Sequence, residues 1–348
     1  MKKTDKHELL KYVGDLSALL GMKEYTLQDG RARGLRAVDI KNGKGLELTV
    51  LADRAMDIPY LSFHGVNAGF VSKTGLVGPE YYVEEGVHGF LKNFTAGFLT
   101  SCGITYAGPP CEADGRTLGL HGPLSNIPAE NFNKSMEYEG EDAVLRVSGS
   151  MRQACVFGEN VYLHRMMTVE TESNVIRIED SVENCGFEPQ PLMSIYHINM
   201  GYPMLDAGAM AYFSAPNVEP RTEFAAQELA EHQIMIAPEV GRDEQCYFHN
   251  GGTGDTFAML HNPKLGYAVV IHYDSAQCPV LCEWKCMRAG EYALGLEPTV
   301  SGVQTLMEAR ENGDLRLIGP GETYKIDLRM EFLDDSDLIA RYITLAAH

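Results

Sequence analysis

The stretch Tyr292-Ala293-Leu294-Gly295-Leu296-Glu297-Pro298-Thr299 decides the fold class. Tyr292, Leu294 and Leu296 alternate with smaller residues, the period of a half-buried strand. Pro298 has no N–H to give to a ladder, so the strand is expected to end there or to run along an edge. Glu297 then stands at a strand mouth, rigid and short of water. Partial desolvation lifts a carboxylate toward the pKa range in which a general base works. The plain alternative is a strand-end glutamate that faces solvent.

The same alternation recurs at 35–40, 46–51, 143–150, 162–170, 175–181, 257–260, 267–273, 280–287 and 324–332. Turn chemistry joins several of these runs: Lys41-Asn42-Gly43-Lys44, Thr171-Glu172-Ser173-Asn174 and Asn262-Pro263-Lys264-Leu265-Gly266. Many short strands with few helices mean an all-β sandwich or barrel. Residues 8–21 space their apolar side chains at helical intervals up to Gly21, which predicts a short amphipathic helix. No Pro-, Gly- or Ser-rich linker divides the chain. It reads as a helical extension over 1–24 and a single β domain over 25–348. Gly251-Gly252-Thr253-Gly254 lacks the ending of a phosphate loop and reads as a hairpin connection.

Composition excludes several classes. At 45% hydrophobic and 22% charged, the 348 residues are ordinary for a globular chain. The formal net charge of −19 repels nucleic acid and anionic membranes. No apolar run is long enough to span a bilayer or to serve as a signal peptide, so a soluble, cytoplasmic protein is expected. The 8 cysteines suit reduced thiols. Cys278, Cys282 and Cys286 form the one cluster, but their spacing is wider than zinc pairs require, and no metal is expected.

Four segments carry residues able to do chemistry. In Leu120-His121-Gly122-Pro123, a histidine is held beside a glycine that admits close backbone approach. A core histidine bonded to a carbonyl fits that segment too. In Tyr196-His197-Ile198-Asn199, strand geometry puts His197 and Asn199 side by side on one face, about 6.5 Å apart. In Asp53-Arg54-Ala55-Met56-Asp57, Arg54 is either part of an ion-pair cluster or a donor toward ligand hydroxyls. Trp284, the only tryptophan, is a platform for an apolar ring face or a core filler.

Leu120-His121-Gly122, Tyr196-His197-Ile198-Asn199 and Leu296-Glu297-Pro298, in this order, resemble the aldose 1-epimerase (galactose mutarotase) superfamily. Gly319-Pro320-Gly321-Glu322-Thr323-Tyr324 resembles its closing strand, and the likeness covers most of 25–335. Asp53–Ile58, Phe98–Gly103, 120–129 and Trp284-Lys285 are similar to an uncharacterised branch of it, described as a domain of unknown function. The resemblance implies a β-supersandwich with a sugar cleft on one sheet face. It implies Glu297 as general base, His197 as general acid and His121 as the second histidine at the ring oxygen, with no cofactor.

Three positions depart from the family pattern. Tyr196 stands where the family has Asn directly before the second histidine, and Asn199 follows instead. The family's arginine segment is replaced by Phe98–Gly103, which leaves Arg54 as the substitute by chemistry. Asp243 lies where an acidic sugar ligand is expected. The implied substrate-binding set is therefore Arg54, Asn199, Trp284 and Asp243. The implied partner is a small carbohydrate, and a homo-oligomer is left open. The leading expectation is an isomerase that interconverts sugar anomers. The alternatives are a sugar-binding sensor, or a lyase or other epimerase on the same scaffold.

Overall fold

All ten alternating runs are strands in the structure, a computed structural model that describes residues 6–139 and 142–346, with the backbone alone for Glu139 and Asp142. Val175–Asn184 shows the cause. Ile176, Ile178, Asp180 and Val182 are buried, whereas Arg177 and Glu179 between them face water.

Two large antiparallel sheets result among the described residues, with two small two-stranded ones beside them. The larger runs in space as Gly21–Thr26, Arg36–Lys41, Leu46–Leu51, Asp57–Phe63, Leu99–Ile104, Gln190–Met200, Glu291–Thr299, Val280–Arg288, Gln245–Asn250 and Asn217–Pro220. The second runs as Glu130–Glu139, Asp142–Ala154, Asn160–Glu170, Val175–Asn184, Thr323–Leu333, Tyr267–Asp274, Asp255–Asn262 and Met210–Phe213. They pack face to face. Val38, Leu48, Ile198 and Leu296 of the first share one apolar core with Leu145, Ile178, Ile271 and Met330 of the second.

Gln190–Met200, hereafter the histidine strand, and Glu291–Thr299, the glutamate strand, lie at the centre of the larger sheet and are buried on both faces. One face meets the second sheet. The other is covered by a separate apolar group, with Phe90, Phe94, Tyr106 and Leu306 over Cys102 and Ile195.

The glutamate strand corrects one expectation. It neither ends before Pro298 nor lies at an edge. It continues through Thr299, with Leu281 opposite Pro298 on one side. On the other side the ladder pairs Ile195 with Thr299 and Ile198 with Leu296, and skips the two positions between. The missing donor of Pro298 is thus accommodated as a gap in a central ladder. That gap falls at Glu297 and His197.

Other differences are local. The N-terminal helix is shorter than 8–21, covering Lys6–Leu9, and a 3-10 turn follows at Leu16–Ala18, where the Asp15 side chain accepts from Ser17 N. Gly21–Thr26 pairs with Arg36–Lys41, so the sheet begins before residue 25. Gly251–Gly254 joins Gln245–Asn250 of one sheet to Asp255–Asn262 of the other, and is therefore a crossover rather than a hairpin turn. Among the described residues, four α-helices have no counterpart in the sequence analysis: the short Val87–Leu91 and Glu223–Gln227, then Leu306–Asn312, with a Thr305/Glu308 capping box, and Ser336–Ala346.

Candidate active site

Alternation along four neighbouring strands builds the site. His197 pairs with Thr100, Glu297 with Cys282, and Gly295 with both Asn199 and Trp284. Paired residues share a face, so Thr100, His197, Asn199, Glu297, Cys282 and Trp284 all point away from the second sheet. Tyr196 points the other way and gives its hydroxyl to Asp180 at 2.6 Å. The family's departure at that position therefore lies in the core and not in the cleft.

His197 Nδ1 stands 3.2 Å from Glu297 Oε1. The two atoms face each other without hydrogen-bond geometry, and neither has another partner among the described residues. Exposures of 6% for His197 and 3% for Glu297 show how little water reaches them. Phe94 and Trp284 flank the His197 ring, with centroids at 5.0 and 5.3 Å. Gly295 makes room for the carboxylate, since a Cβ there would lie 2.2 Å from Glu297 Oε1.

His121 enters from the covering side. Its backbone is left-handed, with φ at 59°, and is pinned on both sides. Its N–H donates to the Gly108 carbonyl at 2.9 Å, and its own carbonyl accepts from Gly103 N at 3.0 Å. Gly122 follows, also with positive φ, where a Cβ would meet the Tyr106 carbonyl oxygen at 2.3 Å. The His121 ring lies 6.1 Å from that of His197, edge to face, and its Nδ1 is enclosed without a partner.

Burial governs the electrostatics. It pushes the Glu297 carboxyl well above its usual range; Cys246 and Glu244 push it further, and Arg221 pulls it back. Burial lowers His197 to about 4, with the nearby Asn199 side chain acting in the opposite direction. His121 falls to about 3, through burial first and then the charges of His197 and Arg221. Burial thus favours an uncharged carboxyl beside uncharged imidazoles. Asn199 donates its Nδ2 to the His197 carbonyl at 2.9 Å, and its Oδ1 is bare. Of the expected residues, the structure brings Glu297, His197, His121, Asn199 and Trp284 together.

Arg54 and Asp243 lie apart from this group. Arg54 is buried and spends its N–H groups on the carbonyls of Val77 and Asn93 and on Asn126 Oδ1, at 2.8, 3.0 and 3.1 Å. It ties the covering loops to the sheet. Asp243 is exposed, and the acid that reaches the site is its neighbour Glu244, which accepts from Trp284 Nε1 at 2.7 Å. Strand alternation back from Cys246, opposite Trp284, could have found it. Arg221, just past the edge strand Asn217–Pro220, is the cation whose field reaches both Glu297 and His121. It lies outside any periodic run, and nothing in the sequence marked it.

The three clustered cysteines do not converge on one point. Cys278 sits in the core between the sheets, while Cys282 faces the cleft beside Cys246.

The fold has close structural likenesses. An aldose 1-epimerase candidate from Klebsiella pneumoniae superposes with a TM-score of 0.89 at 24% identity, over 98% of this chain and 89% of that one. A galactose mutarotase-like protein from Clostridium acetobutylicum gives 0.64 at 13% identity, over 91% and 100%. Galactose 1-epimerase from Lactobacillus acidophilus gives 0.60 at 13% identity, over 90% and 99%. At these identities the likeness shows the fold. No curated protein matches the sequence. Residues 32–332 match the family described as a domain of unknown function, DUF4432, and the chain therefore belongs to that family, an uncharacterised branch built on the galactose mutarotase-like fold.

Proposed function

We propose that the protein is an aldose 1-epimerase-like isomerase that interconverts the anomers of a free sugar. The observation that carries this reading is the bare, facing pair of Glu297 Oε1 and His197 Nδ1, 3.2 Å apart on a nearly dry sheet face. The anomeric hydroxyl and the ring oxygen are bonded to the same carbon. A base for one and an acid for the other must stand side by side, as these two do.

In the reaction, Glu297 takes the proton from the anomeric hydroxyl, whose oxygen becomes the aldehyde carbonyl. The electron pair of the bond from C1 to the ring oxygen moves to that oxygen, which takes a proton from His197. Rotation about C1–C2 and reversal of the steps give the other anomer and restore both groups. The pair shares one proton, which burial places on Glu297; moving it to His197 gives the reacting carboxylate and imidazolium, and the proton transfers with the sugar make the pair neutral again at the open-chain stage. Burial, which raises Glu297 and lowers His197, favours that return to neutrality. His121 stands on the covering side as the second histidine toward the ring oxygen. Trp284, held by Glu244, offers a stacking face, and Asn199 an acceptor.

The test is exchange NMR on a panel of free hexoses, pentoses and deoxysugars, with and without the protein. Accelerated exchange between anomers for at least one sugar is expected. Binding without acceleration on any of them would overturn the isomerase reading in favour of a sugar-binding protein.

A further inference from the structure

The strand Val280–Arg288 has a second polar face. Trp284 and Cys282 look into the cleft, and Glu283 between them looks the opposite way. There it is wholly buried, and one of its oxygens, Oε2, is approached by two imidazoles: His232 Nδ1 at 2.8 Å and His249 Nε2 at 3.0 Å. The donor atoms of these three residues all lie within 4.8 Å of one another, the one such convergence of His, Cys, Asp and Glu side chains among the described residues.

The rings are held in place. His249 stacks on Phe213 with centroids 3.6 Å apart, and His232 lies 5.3 Å from the Tyr247 ring. The surroundings are short of partners. Glu283 Oε1, Gln245 Oε1 and Tyr247 Oη are all buried with no hydrogen bond. Tyr247 and Gln245 are cross-strand neighbours of Glu283 and Lys285, so these bare oxygens are on the same face as the cluster. Lys285 gives its ammonium to the Glu231 carbonyl at 3.0 Å, which leaves the carboxylate to the histidines. A plain hydrogen-bond network would satisfy Oε2 and leave three buried oxygens stranded.

We propose that His232, His249 and Glu283 hold a divalent first-row transition-metal ion. Two imidazoles and a carboxylate are the donor set of zinc and its neighbours. Bonds of about 2.0–2.2 Å place two ligands on one ion roughly 3 Å apart or slightly more, near the spacing seen here. The second oxygen of Glu283, or a small molecule held by Gln245 and Tyr247, completes the coordination. The ion sits beneath the cleft floor and outside the acid–base pair, so its role is to stiffen the strand that presents Trp284 and Cys282.

The test uses the full chain, stripped with a chelator and titrated with Zn²⁺, and with Co²⁺ as a coloured substitute. One zinc retained per chain after gel filtration is expected, with a cobalt d–d spectrum of a nitrogen and oxygen site. The fluorescence of Trp284, the only tryptophan, should change as the site fills. Glu283→Gln should weaken binding by about 100-fold or more. Should that variant not fold, His232→Ala, which alters the covering segment and not the sheet, must show the same loss. Substoichiometric zinc, or equal retention in the variants and the wild type, would overturn the proposal.

Discussion

Tyr196 and His197 are neighbours in one strand, and they point into two opposite kinds of polar cluster. On the Tyr196 side, Arg165 gives Nε to Asp180 at 2.9 Å and one terminal nitrogen to Asp180 at 2.7 Å. Its other terminal nitrogen reaches Ser101 Oγ at 2.7 Å and the Ala55 carbonyl at 3.0 Å. Tyr196 completes Asp180, and among the described residues only Asp57 Oδ2 is left without a partner in this group. On the His197 side, His121 Nδ1, His197 Nδ1, Asn199 Oδ1 and Glu297 Oε1 are all buried and all bare. Both clusters are desolvated. The first uses its polar groups to bind the two sheets together; the second holds them unspent. Buried polar atoms without partners weaken a fold, and their concentration on one face is what the proposed sugar site would explain.

The contrast can be broken by substitution, beginning with the cluster held in reserve. His197→Gln should lower the rate of anomer exchange about 10³-fold or more, the scale of a lost acid–base partner. Its urea unfolding midpoint should stay close to that of the wild type. A matching loss of stability would place His197 among the structural groups. Arg165→Met should do the reverse. It strands Asp180 without its cation and should cost about 3–5 kcal/mol of stability, read from urea unfolding. A change under 1 kcal/mol would erase the distinction between the clusters.

Much of this was legible before any geometry. Period-two alternation located every strand it was asked to locate, because each of those strands buries at least one face in the core. The same rule put His197 beside Asn199 and turned Tyr196 away from them. Glu244 was within reach of that rule too, two positions before Cys246, whereas Asp243 was chosen by region alone. Arg221 and the destination of Arg54 were not legible, since loops deliver both and no period governs a loop. The helices at 306–312 and 336–346 announce themselves by caps: Thr305 with Glu308, and Asp335, which accepts from the N–H groups of Asp337 and Leu338. Pro298 misled for a physical reason. A proline costs a ladder one bond, and a central ladder that skips two positions on that side can go without it.

Smaller effects sharpen the comparison. Gly295→Ala should displace the Glu297 carboxylate, because the new Cβ would lie 2.2 Å from Oε1, and should lower the rate about 10²-fold. A Gly295→Ala variant of unchanged rate would mean that the carboxylate's position is not critical. The pH profile is the subtlest probe. The pair needs one proton, and below about pH 4 His197 would carry its own while Glu297 keeps another. The rate should therefore be flat across neutrality and fall on the acid side only near pH 4. An acid limb near 6.5 would show a solvated imidazole. The sign for stability agrees. The folded-state pKa of His197 lies below its ordinary value, so its contribution is present above about 6.5 and is lost as the pH falls toward 4.

Glu297→Gln tests the central claim most directly, with anomer exchange and sugar binding measured on the same sample by NMR. The variant keeps the shape of the side chain and removes its capacity to accept a proton. The account predicts that binding persists, that exchange falls to the uncatalysed rate, and that the protein is no less stable at neutral pH. Exchange at the wild-type rate in that variant would contradict the assignment of Glu297 as the base.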